Sequence, residues 1–166
     1  DDTFALGVCN GCQMMAGLRE LIPGSAHWPR FVRNLSEQFE ARYVMVEIQD
    51  SPSMLFAGMA GSRLPIVVAH GEGRTEFDTI VEAQQAQEQH LVTLNYVDRD
   101  GKPSTRYPFN PNGSLADIAG ICDATGRVFG LMPHPEAYNH LCNHPDWTRS
   151  RQNTGLANDA TTKTAT

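Results

Sequence analysis

Thr3-Phe4-Ala5-Leu6-Gly7-Val8-Cys9-Asn10-Gly11 runs directly into Cys12-Gln13-Met14-Met15-Ala16-Gly17-Leu18-Arg19-Glu20-Leu21. The apolar start reads as the end of a buried strand, and the segment from Gln13 to Leu21 as an amphipathic helix. Gly7-x-Cys9-x-Gly11 therefore falls at the turn between them, the sequence of a nucleophile elbow with Cys in place of Ser. Glycines are expected there because such a turn holds its central residue in a strained conformation and side chains at the flanking positions would crowd the nucleophile. A thiol at the start of a helix meets the positive end of the helix dipole, which favours the thiolate. Unpaired N–H groups of the first turn can bind a developing oxyanion, with the amide of Asn10 as donor. A free Cys is also among the most buried residue types, so the elbow alone leaves a packing role open.

A second constellation lies 125 residues downstream, where Arg127-Val128-Phe129-Gly130-Leu131-Met132, a strand by pattern, leads into Pro133-His134-Pro135-Glu136. The proline after His134 restricts it to extended backbone, and in an extended segment residues two apart point to the same side. One short segment would then offer an imidazole and a carboxylate together. A cysteine nucleophile needs a base that takes its proton and returns it to the leaving group, and the base needs a carboxylate to fix its tautomer. Cys9, His134 and Glu136 are the candidate catalytic residues. Alone, His134 reads equally as a loop histidine and Glu136 as an exposed acid.

With both constellations in hand, the chain resembles the glutaminase domain of class I (triad) glutamine amidotransferases, and within them that of the long, single-chain phosphoribosylformylglycinamidine synthases. The resemblance rests on Leu6 to Met15, Ile22-Pro23-Gly24-Ser25, Trp28-Pro29-Arg30-Phe31, Phe39-Glu40-Ala41-Arg42, Ala69-His70-Gly71-Glu72-Gly73-Arg74, Asn110-Pro111-Asn112-Gly113-Ser114 and Met132 to Glu136. It implies an α/β fold: an open, mostly parallel sheet flanked by helices, flavodoxin-like, with a nucleophile elbow. It implies L-glutamine as substrate, a Cys thioester intermediate, and a cytoplasmic enzyme of purine biosynthesis. The synthetase portion of the same enzyme would be the partner that receives ammonia, and the loop over residues 102–116 would face it. ATP and Mg2+ would bind in that portion, with no cofactor in this chain. The resembling domain carries further strands before its elbow, including the glycine loop that supplies the second oxyanion donor. Residues 1–150 are therefore expected to be a partial glutaminase domain lacking its N-terminal part, followed by a disordered tail over 151–166.

Composition agrees. At 166 residues and 40% hydrophobic the chain can bury one core. A net charge of -6 gives no electrostatic case for nucleic acid or anionic membrane. No stretch approaches the roughly 20 apolar residues a membrane helix requires, and the acidic start lacks the charged and apolar regions of a signal peptide. Four cysteines at unpatterned spacings argue against a disulfide framework and for a reduced setting.

In chain order, Ile22-Pro23-Gly24 should stop the elbow helix. Arg42 to Ile48 reads as a strand on the edge of the sheet. Ser51-Pro52 opens a short helix or loop to Gly61, and Pro65 to Ala69 reads as a strand buried on both faces. Ligands of open α/β sheets bind beyond the carboxyl ends of the strands, where the elbow and the stretch from His70 to Arg74 would both lie. Backbone groups exposed by Gly71 and Gly73 could hold the polar end of a glutamine. The resemblance assigns substrate contacts to His70, Gly71, Glu72, Gly73 and Gln13. The competing reading is a plain turn with Glu72 and Arg74 as a solvated pair. Thr79 to His90 is a surface helix, Leu91 to Val97 a strand, and Asp98 to Gly101 a turn. Residues 102–116, with three prolines and Asn112-Gly113, form an irregular loop. Ile118 to Cys122 and Arg127 to Leu131 make a hairpin around Asp123-Ala124-Thr125-Gly126.

Cys9-x-x-Cys12 has redox spacing, although a second thiol one turn into a helix is more simply a packing residue. His140-Leu141-Cys142-Asn143-His144 holds three potential metal ligands without a second group at recognisable spacing, and reads as a solvated C-terminal segment with no metal. Two rival functions stay open at this stage: another cysteine hydrolase or peptidase on the same elbow, and a truncated, non-catalytic module.

Overall fold

The computed structural model describes residues 3–154, which form two compact units, one ending at His134 and the other beginning at Pro135. The first unit contains β1 (Ala5–Val8), α1 (Asn10–Gly17), β2 (Arg30–Val32), β3 (Glu40–Ile48), β4 (Arg63–His70), β5 (Arg74–Glu76), α2 (Ile80–Glu88), β6 (Val92–Val97), β7 (Ile118–Cys122) and β8 (Val128–Leu131). Six of these strands form one sheet in the order β1-β8-β7-β6-β3-β4, and β2 pairs with β5 in a small antiparallel ribbon.

The α/β class and the elbow are as expected. Within the described residues, however, the sheet is mixed: β1 and β8 are parallel, and the pairings β8/β7, β7/β6, β6/β3 and β3/β4 are antiparallel. Between β7 and β8 a short connection imposes this, since strands joined by a tight turn must be antiparallel. Asp123 builds one such turn, its carboxylate accepting the N–H groups of Thr125, Arg127 and Val128 at 3.1, 3.0 and 2.9 Å. Counting reversals along the sheet, β1, β8, β6 and β4 run in one direction. Their carboxyl ends share one edge, so the expected placement of the elbow and the loop after β4 holds. An antiparallel bridge between Val67 and His134 joins the segment after β8 to β4, curling the sheet toward a half-barrel.

One core cluster lies between the strands, with Val44, Val46, Ile48, Ile66, Val68, Leu94, Tyr96, Phe129 and Leu131 buried together. A second joins Met15 and Ala16 of α1, Ala83 and Ala86 of α2, and Trp28, Leu91, Ile118 and Ile121. Every residue of β6 is buried, as expected for a central strand. Each fully buried side chain of this size contributes about 1.5–3 kcal/mol. Thr79 starts α2 with a capping box, its hydroxyl accepting the Glu82 N–H while the Glu82 carboxylate accepts the Thr79 N–H.

Four local expectations need correction. Among the described residues β1 pairs on one side only, and Ala5 and Leu6 are exposed, so it stands there as an edge strand. α1 ends at Gly17, before Ile22-Pro23-Gly24, because glycine is a poor helix former and the chain turns at once through Leu18. β3 lies inside the sheet between β6 and β4, and β4 holds the edge. β4 alternates, with Ile66, Val68 and His70 buried and the residues between them half-buried, because an antiparallel edge strand covers only one face.

The second unit begins with 3-10 turns at Pro135–Ala137 and Leu141–Asn143 and ends in α3 (Trp147–Thr154). In it His140 Nδ1 accepts the Cys142 N–H at 3.3 Å and His144 Nδ1 accepts the Asp146 N–H at 3.1 Å, so both imidazoles cap turns. Of the predicted tail, residues 151–154 are helical and residues 155–166 lie outside the described part. No helix among the described residues is long and apolar enough to cross a membrane.

Candidate active site

Cys9 occupies the turn between β1 and α1 with φ 50° and ψ -106°, a conformation that L residues avoid. Its main-chain N–H donates to Leu131 O at 2.8 Å, and its own carbonyl accepts from the Gln13 N–H at 3.0 Å. The residue is thus held from both sides, by β8 and by the first turn of the helix. A Cβ on Gly7 would lie 2.8 Å from the Gly11 carbonyl group, so glycine is demanded there. A Cβ on Gly11 would meet nothing within 4 Å, and the expected crowding at that position is absent. Asn10 and Gly11 open the helix, and no hydrogen bond from either amide to another described residue is found.

Cys12 is fully buried, and its Sγ packs where a Cβ on Gly130 would come within 2.7 Å. Burial, with the neighbouring Cys9, pushes its thiol well above the ordinary range. That is the packing role rather than a redox pair.

His134 follows β8 by three residues and is tied to β4, its N–H donating to Val67 O at 2.7 Å. Since β1 and β8 are parallel in the register Val8↔Leu131, Cys9 and His134 leave adjacent strands at the same edge of the sheet. The extended backbone ends at His134. Pro135 opens a 3-10 turn that includes Glu136, because its fixed φ suits the first position of a helical turn. The period-two argument therefore does not reach Glu136, which is exposed at the start of the second unit.

The loop after β4 comes to the elbow through Gln13, whose Nε2 donates to Glu72 O at 2.6 Å. His70 is buried at the end of β4, opposite Glu40 in the register with β3, and its ring lies against Gly73, where a Cβ would come 2.5 Å from Nδ1. Burial lowers its pKa to about 4, with His134 adding to the shift and Glu40 opposing it, so the ring is neutral at ordinary pH. Gly71 and Gly73 shape the loop, and Glu72 is exposed. Arg74 pairs with Glu76 at 3.3 Å and donates to Arg33 O at 3.1 Å, so the expected Glu72/Arg74 pair is not the one formed.

Of the residues that build the loop's far wall, Asn34 carried no functional reading in the sequence, and Asn112 only that of a loop facing the synthetase portion. Asn34, just after β2, and Asn112 are 2% and 1% exposed, and both bond to loop backbone. Asn110 and Ser114 fold their own segment: Asn110 Oδ1 accepts the Gly113 and Ser114 N–H groups at 2.9 and 3.1 Å. Asn110-Pro111-Asn112-Gly113-Ser114 was a signal for this wall; Asn34 had none.

A strained cysteine at a strand-to-helix turn, a histidine at the end of the adjacent strand and a glycine loop joined to the elbow helix are what an amidotransferase of the elbow type presents. The chain belongs to the CobB/CobQ-like glutamine amidotransferase domain family, which its residues 1–162 match. Among solved structures it is similar to PurLQS from Thermotoga maritima, with 26% identity and a TM-score of 0.57 over 91% of this chain and 61% of that one. The chain therefore spans about three-fifths of the relative's length.

Proposed function

We propose that this chain carries the glutaminase half-reaction, hydrolysing L-glutamine to glutamate and ammonia. The observation that carries the reading is the backbone of Cys9, φ 50° and ψ -106°, on a turn whose helix opens with the amides of Asn10 and Gly11. Strain of this kind persists where a structure over-determines it, and it lifts the thiol clear of strand and helix toward a bound substrate.

In this mechanism the Cys9 thiolate attacks the carboxamide carbon of glutamine, forming the C–S bond and a tetrahedral oxyanion that accepts from the Asn10 amide. As the C–N bond breaks, His134 gives its proton to the departing nitrogen and ammonia leaves a thioester. His134 then takes a proton from water, whose oxygen attacks the thioester carbon; the C–S bond breaks, glutamate leaves, and the Cys9 thiolate and protonated His134 are restored. Glu136 orients His134. Gln13 and the backbone of His70, Gly71, Glu72 and Gly73 bind the amino-acid end of the substrate. The likeness to PurLQS supports a further step in which ammonia passes to a synthetase portion. That portion, with ATP and Mg2+, would convert formylglycinamide ribonucleotide to its amidine.

Intact mass after incubation with a chloroketone analogue of glutamine tests the reading. A single adduct that vanishes in Cys9→Ala and forms more slowly in His134→Ala is expected. No adduct on a folded chain would refute self-sufficient catalysis.

A further inference from the structure

From His70 to Gly73 every main-chain oxygen is engaged. His70 O accepts from Asn34 Nδ2 at 2.8 Å, Gly71 O from the Asn34 N–H at 2.9 Å, Glu72 O from Gln13 Nε2 at 2.6 Å and Gly73 O from Asn112 Nδ2 at 2.8 Å. The Gly73 N–H in turn donates to Asn34 Oδ1 at 3.0 Å. Asn34 thus grips the loop's first and fourth residues with the paired donor and acceptor of its carboxamide and the second with its own main-chain N–H, as a neighbouring strand would. Its remaining amide proton goes to Gln38 O at 3.0 Å. Asn112 is fixed in its turn, its Oδ1 accepting from Ser114 Oγ at 2.7 Å and its Nδ2 donating also to the Tyr96 hydroxyl at 3.3 Å. The hydrogen bonds of these two side chains run to the loop and to its supporting segments.

Two glycines in four residues would leave such a loop free to sample many conformations, and a substrate would have to order it on binding. Two buried amides do the ordering in advance. Meanwhile the elbow is held by its own bonds to β8 and α1, independent of either asparagine. Loosening the loop should therefore weaken substrate capture and leave thiol chemistry intact.

We propose that Asn34 and Asn112 are positioning residues for glutamine, presetting the loop from His70 to Gly73 against the elbow helix, with Gln13 as the strut between them. The inference rests on the glutaminase reading.

The test compares, on the full chain, saturation kinetics of Cys9 alkylation by the chloroketone analogue with its alkylation by iodoacetamide. Adducts are assigned by peptide mapping because Cys142 is also exposed. Wild type, Asn34→Ala, Asn34→Asp and Asn112→Asp are compared. In Asn34→Ala the half-saturating analogue concentration should rise about tenfold or more, a loss of about 1.4 kcal/mol of binding. Asn34→Asp keeps the acceptor for the Gly73 N–H and should fall between it and wild type. The limiting rate and the iodoacetamide rate should stay within about twofold, which a general loosening of the fold would not allow. An unchanged half-saturation in all three variants, with the wild type saturating, overturns the inference alone. So does a parallel fall of both alkylation rates, which would make the asparagines merely structural. A wild-type chain that reacts with the analogue without saturation overturns the glutamine reading and this inference with it.

Discussion

The elbow at Cys9 and the loop from His70 to Gly73 meet at one edge of the sheet, yet they are held in place by opposite means. Cys9 sits in a costly backbone conformation set by the turn's own residues and anchored by one main-chain bond to β8, and the strand and helix around it leave Leu6, Met14 and Leu18 exposed. The loop is held by the buried Asn34 and Asn112, each more than 30 residues away in sequence, along with Gln13. The reactive group is placed by local geometry, and the substrate-binding backbone by tertiary contacts. Backbone strain thus marks one wall of the site, and main-chain oxygens held by side-chain and backbone donors mark the other.

The largest effect that tests this contrast is at Cys9 itself. Cys9→Gly should abolish glutamine turnover and labelling. It should also stabilise the chain, by about 1 kcal/mol, because relief of a non-glycine residue at φ 50° outweighs the added freedom of the unfolded chain. Urea denaturation of the two forms measures it; a destabilised Cys9→Gly would mean that the elbow stores no strain.

On the other wall the sensitive group is His70, and there the variable is pH. With a folded-state pKa of about 4 against an ordinary value of 6.5, the unfolded chain binds the extra proton between those values. Stability from this group is therefore full above about pH 6.5 and is lost as pH falls toward 4, where the folded ring also protonates and the slope ends. The loss amounts to at most about 3 kcal/mol. Denaturation midpoints followed from pH 7 to 4 should fall less steeply in His70→Gln than in wild type. Parallel curves would show that burial does not hold this ring neutral, and that the loop wall carries no electrostatic cost.

The same division decided how much could be read from the sequence. Gly7-x-Cys9-x-Gly11 announced the elbow because the residues that shape the turn are adjacent in the chain, and Asp123-Ala124-Thr125-Gly126 announced its hairpin for the same reason; the anchor of Cys9 to Leu131 O was not legible there. Asn34 was silent, because a carboxamide that replaces a strand partner has no signature until β2 and β4 are side by side. The mixed sheet was missed for a related reason: Pro65 to Ala69 is apolar enough for a doubly covered strand, and only its pairing with β3 alone reveals an edge. His134 lies where its sequence context put it, on extended backbone just after a strand, whereas Pro135, which seemed to extend the segment, instead begins a helical turn.

A finer test lies within the elbow. Gly7→Ala must displace both the backbone of Gly11 and the side chain of Met15, and should cost about 1–3 kcal/mol, the usual range for overpacking. The loss should appear in thermal melting together with a slower reaction of Cys9 with iodoacetamide, since the turn itself is forced to move. A Gly7→Ala chain that melts and reacts as wild type would show that the turn can relax, and that the contrast between a rigid elbow and a clamped loop is overdrawn.

The smallest effect concerns its partner glycine. Gly11 lies in the first turn of α1 with open space where a Cβ would stand. Gly11→Ala should therefore stabilise the chain by about 0.5–1 kcal/mol through helix propensity and a less flexible unfolded state. Since the added methyl group would meet no other part of the fold within 4 Å beyond its chain neighbours and its own helix backbone, alkylation of Cys9 by iodoacetamide should proceed at the wild-type rate. Alkylation by the glutamine analogue then reads the space itself. A rate that drops for the analogue alone places the bound substrate over Gly11, making that glycine a requirement of the ligand and not of the turn. A drop for both reagents would instead restore the view that both glycines serve the nucleophile's backbone, and would put the two ends of the elbow back on an equal footing.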